Sequence, residues 1–131
     1  MSKLTIPSLF KESVKKYANN NSLVFVGEEK YSYQQLGNDV DIVATLLSDL
    51  GVAKGDKVAI LSTNMPNWGV AFFAVSVIGA VAVPVLPDFH DNEIKTIIEH
   101  SEAKIIFVSS ALYGNLNDEA KKLLANIILI E

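Results

Sequence analysis

The sequence predicts an α/β fold: a Rossmann-like, mostly parallel sheet with helices on both faces, preceded by an N-terminal helix and a β-hairpin. From Lys57 onward, four short apolar runs alternate with segments of helical pattern. The runs are continuous rather than alternating, which is typical of parallel strands that helices cover on both faces. Capping residues fall at the predicted boundaries. With 131 residues, half of them apolar, we expect a single domain spanning residues 1–131.

The elements before Lys57 are a helix, a hairpin and a second helix. The first helix is predicted from about Pro7 to Tyr17, with Thr5 or Ser8 as its N-cap. The hairpin is predicted to pair Leu23–Val26 with Tyr31–Tyr33 across a four-residue turn.

The second helix is predicted to open at Gln34 and to end before Gly51, where a left-handed C-terminal residue is expected. Its core-facing residues recur at steps of three and four: Leu36, Val40, Val43, Leu47 and Leu50. The remaining predicted elements are strand Lys57–Leu61, helix Pro66–Ile78, strand Val81–Leu86, helix Asn92–His100, strand Lys104–Val108, helix Asp118–Ala125 and strand Ile127–Ile130. Their predicted helix caps are Asn64, Asp91 and Asn117.

Composition excludes several classes of function. The net charge is -4, and the one short basic pair, Lys15-Lys16, is predicted on a solvated helix face, so nucleic acid is not an expected partner. The chain has no cysteine, which excludes disulfides, thiolate metal sites and a cysteine nucleophile. Residues Met1–Pro7 lack the pattern of a secretory signal, so a cytoplasmic location is predicted.

The segment Met65–Pro87 contains no charged residue, and an apolar run of about 18 residues can span a bilayer. Gly79 and Pro84 interrupt this run, and the residues after Gly79 follow the two-residue period of a strand. We therefore predict a buried helix followed by a buried strand, no transmembrane segment, and solubility without detergent.

No residue is predicted to be catalytic, cofactor-binding or metal-binding. A phosphate-binding loop needs glycines between a strand and a helix N-terminus. The loops after the first three predicted parallel strands, Leu61–Asn64, Pro87–His90 and Ser109–Ala111, are free of glycine. No tight ATP site is expected in this chain.

The loop after the second parallel strand and the two histidines could have functional or structural roles. Asp88, His90 and Asp91 follow a predicted parallel strand, so they suit either ligand binding or the start of a helix. His100 is assigned a structural role, because the helix dipole favours a partly cationic ring at a helix C-terminus.

Other polar and aromatic residues also have two interpretations. Ser62 and Ser109-Ser110 could suggest a nucleophile, but no Gly-x-Ser-x-Gly elbow surrounds them, so they are interpreted as polar residues at strand ends. Trp68, Phe72 and Phe73 could form an acyl-chain wall, although the helix is apolar on nearly every side and core burial is favoured.

Four local motifs occur in a fixed order: Tyr31–Leu36, Gly51–Ile60, Asn64–Trp68 and Gly79–Pro84. Their succession resembles the N-terminal region of AMP-forming acyl-CoA synthetases and other adenylate-forming enzymes, and the resemblance covers essentially the whole chain. It departs from many relatives at Val77, where they carry a basic residue two positions before the glycine.

The resemblance implies a parent enzyme that uses Mg-ATP to convert a carboxylate to an acyl-adenylate and then transfers the acyl group to coenzyme A. Long-chain fatty acid is the substrate class that overall similarity favours. The family's phosphate loop, nucleotide-binding motifs and C-terminal lysine come later in the chain, and none is in this sequence. The implied partners are ATP, magnesium, coenzyme A and the remainder of the parent enzyme.

The sequence is therefore interpreted as an N-terminal structural portion of an acyl-CoA ligase that is not catalytic alone. The alternative is a small flavodoxin-like regulatory or ligand-binding module. Because Glu131 directly follows the last apolar strand, the chain looks like a piece of a longer protein. An uncovered strand at Ile127–Ile130 predicts self-association of this piece.

Overall fold

A computed structural model describes residues 4–131, so the first three residues of the stretch inspected for a secretory signal lie outside it. The described residues form five α-helices, four β-strands and one 3₁₀ turn. In chain order these are α1 (Ile6–Lys16), α2 (Tyr33–Asp49), β1 (Lys57–Leu61), α3 (Pro66–Val77), β2 (Val81–Val85), α4 (Asp91–Ser101), β3 (Ile105–Ser109), the 3₁₀ turn (Tyr113–Asn115), α5 (Asp118–Leu123) and β4 (Asn126–Ile130).

The four strands form one parallel sheet with the order β2-β1-β3-β4. In this register Leu61 of β1 lies beside Val85 of β2 and Val108 of β3, and Ser109 of β3 lies beside Ile130 of β4. The prediction of a mostly parallel α/β sheet is confirmed. The two inner strands are buried, as their continuous apolar runs require.

Successive residues of the inner strands enter two different cores, because side chains alternate across a sheet. Helices α1, α2 and α3 cover the first face, where Val58, Ile60 and Phe107 are buried. Helices α4 and α5 cover the second face, where Leu61 and Ile106 are buried. Helices therefore lie on both faces, as predicted.

Local sequence signals explain several element ends. Thr5 caps α1: its Oγ1 accepts from the Ser8 N–H at 3.2 Å, and the Thr5 N–H donates to Ser8 Oγ at 3.0 Å. Asn117 caps α5, because its Oδ1 accepts from the Ala120 N–H at 2.8 Å. Gly51 follows α2 with φ of 90°, the left-handed conformation predicted for it.

The predicted β-hairpin is wrong. Its arms form no strands, and only an isolated antiparallel bridge joins Asn21 to Ser32. Leu23 instead packs into the first core against α3, so close to Gly69 that a Cβ there would collide with it. Val26 is fully exposed. A two-stranded hairpin with no third strand is marginally stable, and burial of Leu23 offers this segment more.

Two predicted caps are also wrong. Residue Met65, not Asn64, occupies the N-cap position of α3, and no side chain caps that helix. His90, not Asp91, precedes α4, and its backbone N–H donates to Glu93 Oε2 at 2.8 Å. Asp91 is the first residue of the helix, where a negative charge favours the N-terminus.

The segment Met65–Pro87 folds as a helix followed by a strand, as predicted, but the strand is not buried: Val81 and Pro84 are exposed, because β2 lies at an edge of the sheet. Helix α3 and strand β2 occupy it, with the positive φ of Gly79 between them. Across residues 4–131, no helix has both the length and the apolar character needed to cross a membrane.

Candidate functional site

The carboxyl edge of the sheet contains a topological switch point between β1 and β3. From β1 the chain passes through α3 to β2 on one side, whereas from β3 it passes through α5 to β4 on the other. The two loops therefore diverge and leave a crevice between the strand ends, where ligands of open α/β sheets usually bind. Ser62 directly follows β1 and Ser109 is the last residue of β3, and the Leu61–Val108 pairing places the two serines next to each other.

Both serines are buried at this crevice: Ser62 is 3% exposed and Ser109 is 2% exposed. Ser62 Oγ donates to the carbonyl oxygen of Thr63 at 2.8 Å. Ser109 Oγ has no hydrogen-bond partner among the described residues. Strand alternation places Ser109 on the same face as Phe107, toward α3. The sequence indicated polar strand ends; only the register brings the two together.

A second set of polar contacts joins the neighbouring loops. Ser110 Oγ donates to the Glu131 carboxylate, and Asn67 Nδ2 donates to the Glu131 carbonyl oxygen. The start of α3 and the end of β4 are thereby tied together. Ser110 is paired with a carboxylate and not with a histidine base, so we interpret these hydrogen bonds as structural contacts between the loops and not as an activated nucleophile.

The Asp88–His90 loop lies away from the switch point. It follows β2, which is an edge strand, and all three of the residues Asp88, His90 and Asp91 are exposed. The His90 backbone contact with Glu93 assigns the loop to the start of α4. Among residues 4–131, no group of three His, Cys, Asp and Glu side chains is arranged to hold a metal ion. A ligand-binding role for the loop stays a prediction.

The aromatic residues of α3 pack into the first core. Trp68 stacks on Phe72 with ring centroids 5.4 Å apart, and Phe73 stacks on Phe10 of α1 at 4.4 Å. The Phe10–Phe73 contact joins α1 to α3, whereas the Trp68–Phe72 contact lies within α3. They favour the core interpretation over an acyl-chain wall. His100 lies in the last turn of α4, where the sequence places it.

Tyr31 links the loop after α1 to helix α2. Its hydroxyl donates to the Asp39 carboxylate. Burial raises the pKa of Tyr31, and the hydrogen bond and the negative charge of Asp39 raise it further. A tyrosine with a raised pKa stays neutral and is a hydrogen-bond donor, so its role here is to anchor α2.

Two of the sequence motifs meet at the amino edge of the sheet, opposite the switch point. The Gly55 N–H donates to the Gly79 carbonyl oxygen at 3.0 Å, and the Val81 N–H donates to the Asp56 carbonyl oxygen at 2.7 Å. Gly55 and Gly79 have φ of 88° and 77°, which a side chain would strain. These motifs therefore build the entry turns of β1 and β2.

The sequence profile of the family described as AMP-binding enzyme matches residues 10–131. The chain belongs to this family. It is similar to 4-hydroxybutyrate–CoA ligase 2 of Metallosphaera sedula, at 30% identity over 125 residues, 95% of this chain and 23% of that protein. It is also similar to crotonobetaine/carnitine–CoA ligase of Escherichia coli O1:K1, at 31% identity over 105 residues, 78% of this chain and 20% of that protein.

Solved structures share the fold of this AMP-binding enzyme portion. The N-terminal domain of FACL13 from Mycobacterium tuberculosis superimposes with a TM-score of 0.88 at 21% identity, covering 96% of this chain and 33% of that one. The chain spans about a quarter or less of the length of the curated relatives. It corresponds to the N-terminal region of these larger ligases, as the motif order predicts.

Proposed function

We propose that this chain is the N-terminal structural portion of an AMP-forming acyl-CoA ligase and that it does not catalyse the reaction alone. The observation that carries the proposal is the family match over residues 10–131. The position of the matching motifs supports it, because the turns at Gly55 and Gly79 stabilise the amino edge of the sheet. Ligands of such sheets bind at the opposite edge. The match also favours a ligase over a flavodoxin-like module.

The parent enzyme would use ATP, magnesium and coenzyme A to activate a carboxylate as an acyl-adenylate and convert it to a thioester. Adenylyl transfer depends on donors and a cation that stabilise charge on phosphorus. The described strand ends supply no glycine nest and no metal-binding cluster for this. We expect those groups in the remainder of the parent, which is then the main partner of this chain.

The proposed substrate class is a carboxylic acid. Long-chain fatty acid stays a prediction, since two curated relatives are named for 4-hydroxybutyrate and for crotonobetaine or carnitine. A cytoplasmic location also stays a prediction.

The first test is pyrophosphate exchange by the isolated chain. Incubation with ATP, Mg²⁺ and a panel of short and long carboxylic acids should give exchange at the protein-free background, because positioning supplies most of this catalysis. Titration calorimetry with Mg-ATP should show no saturable micromolar binding. Acid-dependent exchange above background would overturn the proposed lack of catalysis.

The second test transplants the chain into a related enzyme. Residues 10–131 replace the matching segment of the Metallosphaera ligase, and formation of the coenzyme A thioester is measured. A scaffold role predicts that the chimera retains acid-dependent activity. A matched chimera carrying Gly79→Val should yield less folded protein. The valine would have to adopt φ of 77°, and its Cβ would lie 3.2 Å from Lys54 Cγ. A folded but inactive first chimera would count against the assignment.

A further inference from the structure

The segment between α1 and α2 begins and ends as an antiparallel hairpin. The Tyr33 N–H donates to the Asn20 carbonyl oxygen at 2.9 Å, and the Ser22 N–H donates to the Tyr31 carbonyl oxygen at 2.8 Å. These two hydrogen bonds flank the isolated antiparallel bridge of this segment. They fix which residue of the first arm lies opposite which residue of the second.

The tip of this hairpin is closed in the same register. The Glu28 N–H donates to the Phe25 carbonyl oxygen at 3.1 Å. Gly27 lies between them with φ of 85°, the conformation that the third residue of a type II turn requires. The Phe25–Glu28 pair lies three residues beyond the Ser22–Tyr31 pair on each arm, so both pairs belong to one hairpin.

The middle of the hairpin is open. The register places Val24 opposite Glu29, yet the backbones of Leu23, Val24 and Glu29 form no hydrogen bond within residues 4–131. Val24 is 45% exposed and Phe25 is 42% exposed. A two-stranded hairpin is marginally stable in water and needs a third strand or a packed helix to persist. The segment therefore has the register of a hairpin without the neighbour that would hold its arms together.

The first arm has an outer side that another strand can use. Backbone groups alternate between the two sides of an antiparallel strand. Because the Ser22 N–H faces the second arm, the N–H groups of Leu23 and Phe25 face outward. The Leu23 side chain packs into the first core and anchors the arm there.

An apolar cleft of about 240 Å³ lies beside the first arm. Its lining comes from the first arm and from the start of α3, with no residue of the second arm among the described ones: Leu23, Val24, Phe25, Asn64, Met65 and Pro66. A strand laid along the arm would pair with its outward N–H groups and would bury apolar side chains in this cleft.

The small size of this surface indicates what covers it. A free protein partner needs an interface of about 1,200–2,000 Å². An arm of three residues beside a cleft of about 240 Å³ offers far less. A segment of the same polypeptide needs no such area, because its covalent link gives it an effective concentration of about millimolar. The chain spans 23% of the Metallosphaera ligase, so a parent of similar length has most of its chain available to supply the segment.

We propose that in the parent ligase an extended, apolar segment of the remaining chain pairs with Leu23–Phe25 and completes the hairpin as its third strand. This inference rests on the proposed function, because the parent enzyme supplies the segment. It assigns residues 23–25 as a contact surface between this chain and the rest of that enzyme.

Residue-resolved hydrogen exchange tests the proposal. It compares the isolated 131-residue chain with the chimera in which residues 10–131 replace the matching segment of the Metallosphaera ligase. In the isolated chain, the Leu23 and Phe25 amides should exchange close to the rate of an unstructured peptide. In the chimera they should exchange at least about tenfold more slowly, because both donate to the incoming strand. The Val24 and Glu29 amides should slow as well, since the third strand holds the arms together.

Two variants at position 25 separate the backbone from the side chain. In the chimera, Phe25→Pro removes an N–H that the incoming strand needs, so the Leu23 amide should lose its added protection. Phe25→Ala keeps that N–H and should retain the protection. In the isolated chain neither variant should change exchange at Leu23. Circular dichroism checks folding, and if the Phe25→Pro chimera does not fold, exchange in the unsubstituted chimera decides alone.

Two results would overturn the proposal. Protection of Val24 and Glu29 alone would mean that the hairpin closes without a third strand. Protection of none of the four amides in a folded chimera would mean that the rest of the enzyme leaves this surface open. If the chimera does not fold, residues 10–131 are placed in the N-terminal domain of FACL13 and the same exchange is measured.

The ligase assignment is tested separately by thioester formation. An active chimera with an open hairpin would reject this inference and leave the assignment standing. A folded, inactive chimera would count against the assignment instead.

Discussion

The two faces of the sheet differ in the aromatic content of their buried cores. On the face covered by α1, α2 and α3, Phe10 stacks on Phe73 and Phe107 is buried at 2% exposure. On the face covered by α4 and α5, Ala59 and Ala120 are completely buried and allow helix and strand to approach closely. The buried core of the first face combines these rings with aliphatic residues and alanines, whereas the buried core of the second face contains no aromatic residue among the described residues.

The faces also differ in how far along the chain their parts lie. Helices α1 and α2 precede every strand, so the first face joins segments that are distant in sequence. Helices α4 and α5 each connect the strands that they help to cover. The second face is therefore assembled from elements that are neighbours in the chain. The first face needs contacts between elements far apart in the chain, and forming such contacts closes larger loops.

The largest expected effect is the loss of stability when a buried side chain is truncated, and it can be measured separately for each face. Phe107→Ala on the first face should lower the free energy of unfolding by about 3–5 kcal/mol, and Ile98→Ala on the second by about 2–5 kcal/mol. Urea denaturation followed by circular dichroism at one fixed protein concentration measures both. A smaller loss for Phe107→Ala than for Ile98→Ala would mean that the first face is not the stronger core.

The helix caps give a smaller and more local effect. Asn117→Ala should destabilise the chain by about 1 kcal/mol, because α5 has only six residues and loses its capping acceptor. Hydrogen exchange should show faster opening of α5, with α1 unchanged. The matched variant Thr5→Ala should instead open α1. Faster exchange of both helices in both variants would show that the faces open together.

A pH-dependent effect is expected at Tyr31, which packs against the first face. The folded state favours the neutral form of Tyr31 and so raises its pKa. The stability that Tyr31 contributes is therefore complete below the unfolded pKa of about 10 and is lost as the pH rises above it. At pH 7, Tyr31→Phe should cost less than about 1 kcal/mol, since the site is partly exposed. The difference between the stabilities of wild type and variant should begin to narrow as the pH rises above about 10. A widening difference would contradict this.

The smallest effect is expected at the switch point. Ser109→Ala should leave stability unchanged or raise it by up to about 1 kcal/mol, because its buried hydroxyl has no described partner. Ser62→Ala removes the 2.8 Å hydrogen bond to Thr63 and should cost about 0.5–1.5 kcal/mol. Chemical denaturation compares the two. A larger loss for Ser109→Ala would indicate a partner for its hydroxyl.

Sequence patterns predicted the candidate site only in part. Ser62 and Ser109 are recognisable as polar residues at the ends of apolar runs, but 46 intervening residues separate them. Their proximity depends on the β1–β3 register. The order of strands also shows that the loop at Asp88 and His90 lies at an edge strand, away from the crevice. Local sequence carries no information on either point.

By itself, the sequence determined the elements whose signals are local. Strand Lys57–Leu61 has the predicted bounds, and Gly51 and Asn117 end or begin helices as their backbone and side-chain chemistry require. The motif order also determined the family. These properties depend on neighbours within a few residues along the chain, so a single sequence is sufficient to predict them.

Only the tertiary structure decided which apolar segments meet. It turned Leu23 into the core instead of pairing it in a hairpin, placed Ser109 beside Ser62, and put β1 and β3 rather than β2 or β4 in the middle of the described sheet. The physical reason is that a strand satisfies its backbone hydrogen bonds only with a partner strand, and every apolar run here could serve as that partner. The packing of helices on the two faces selects among them.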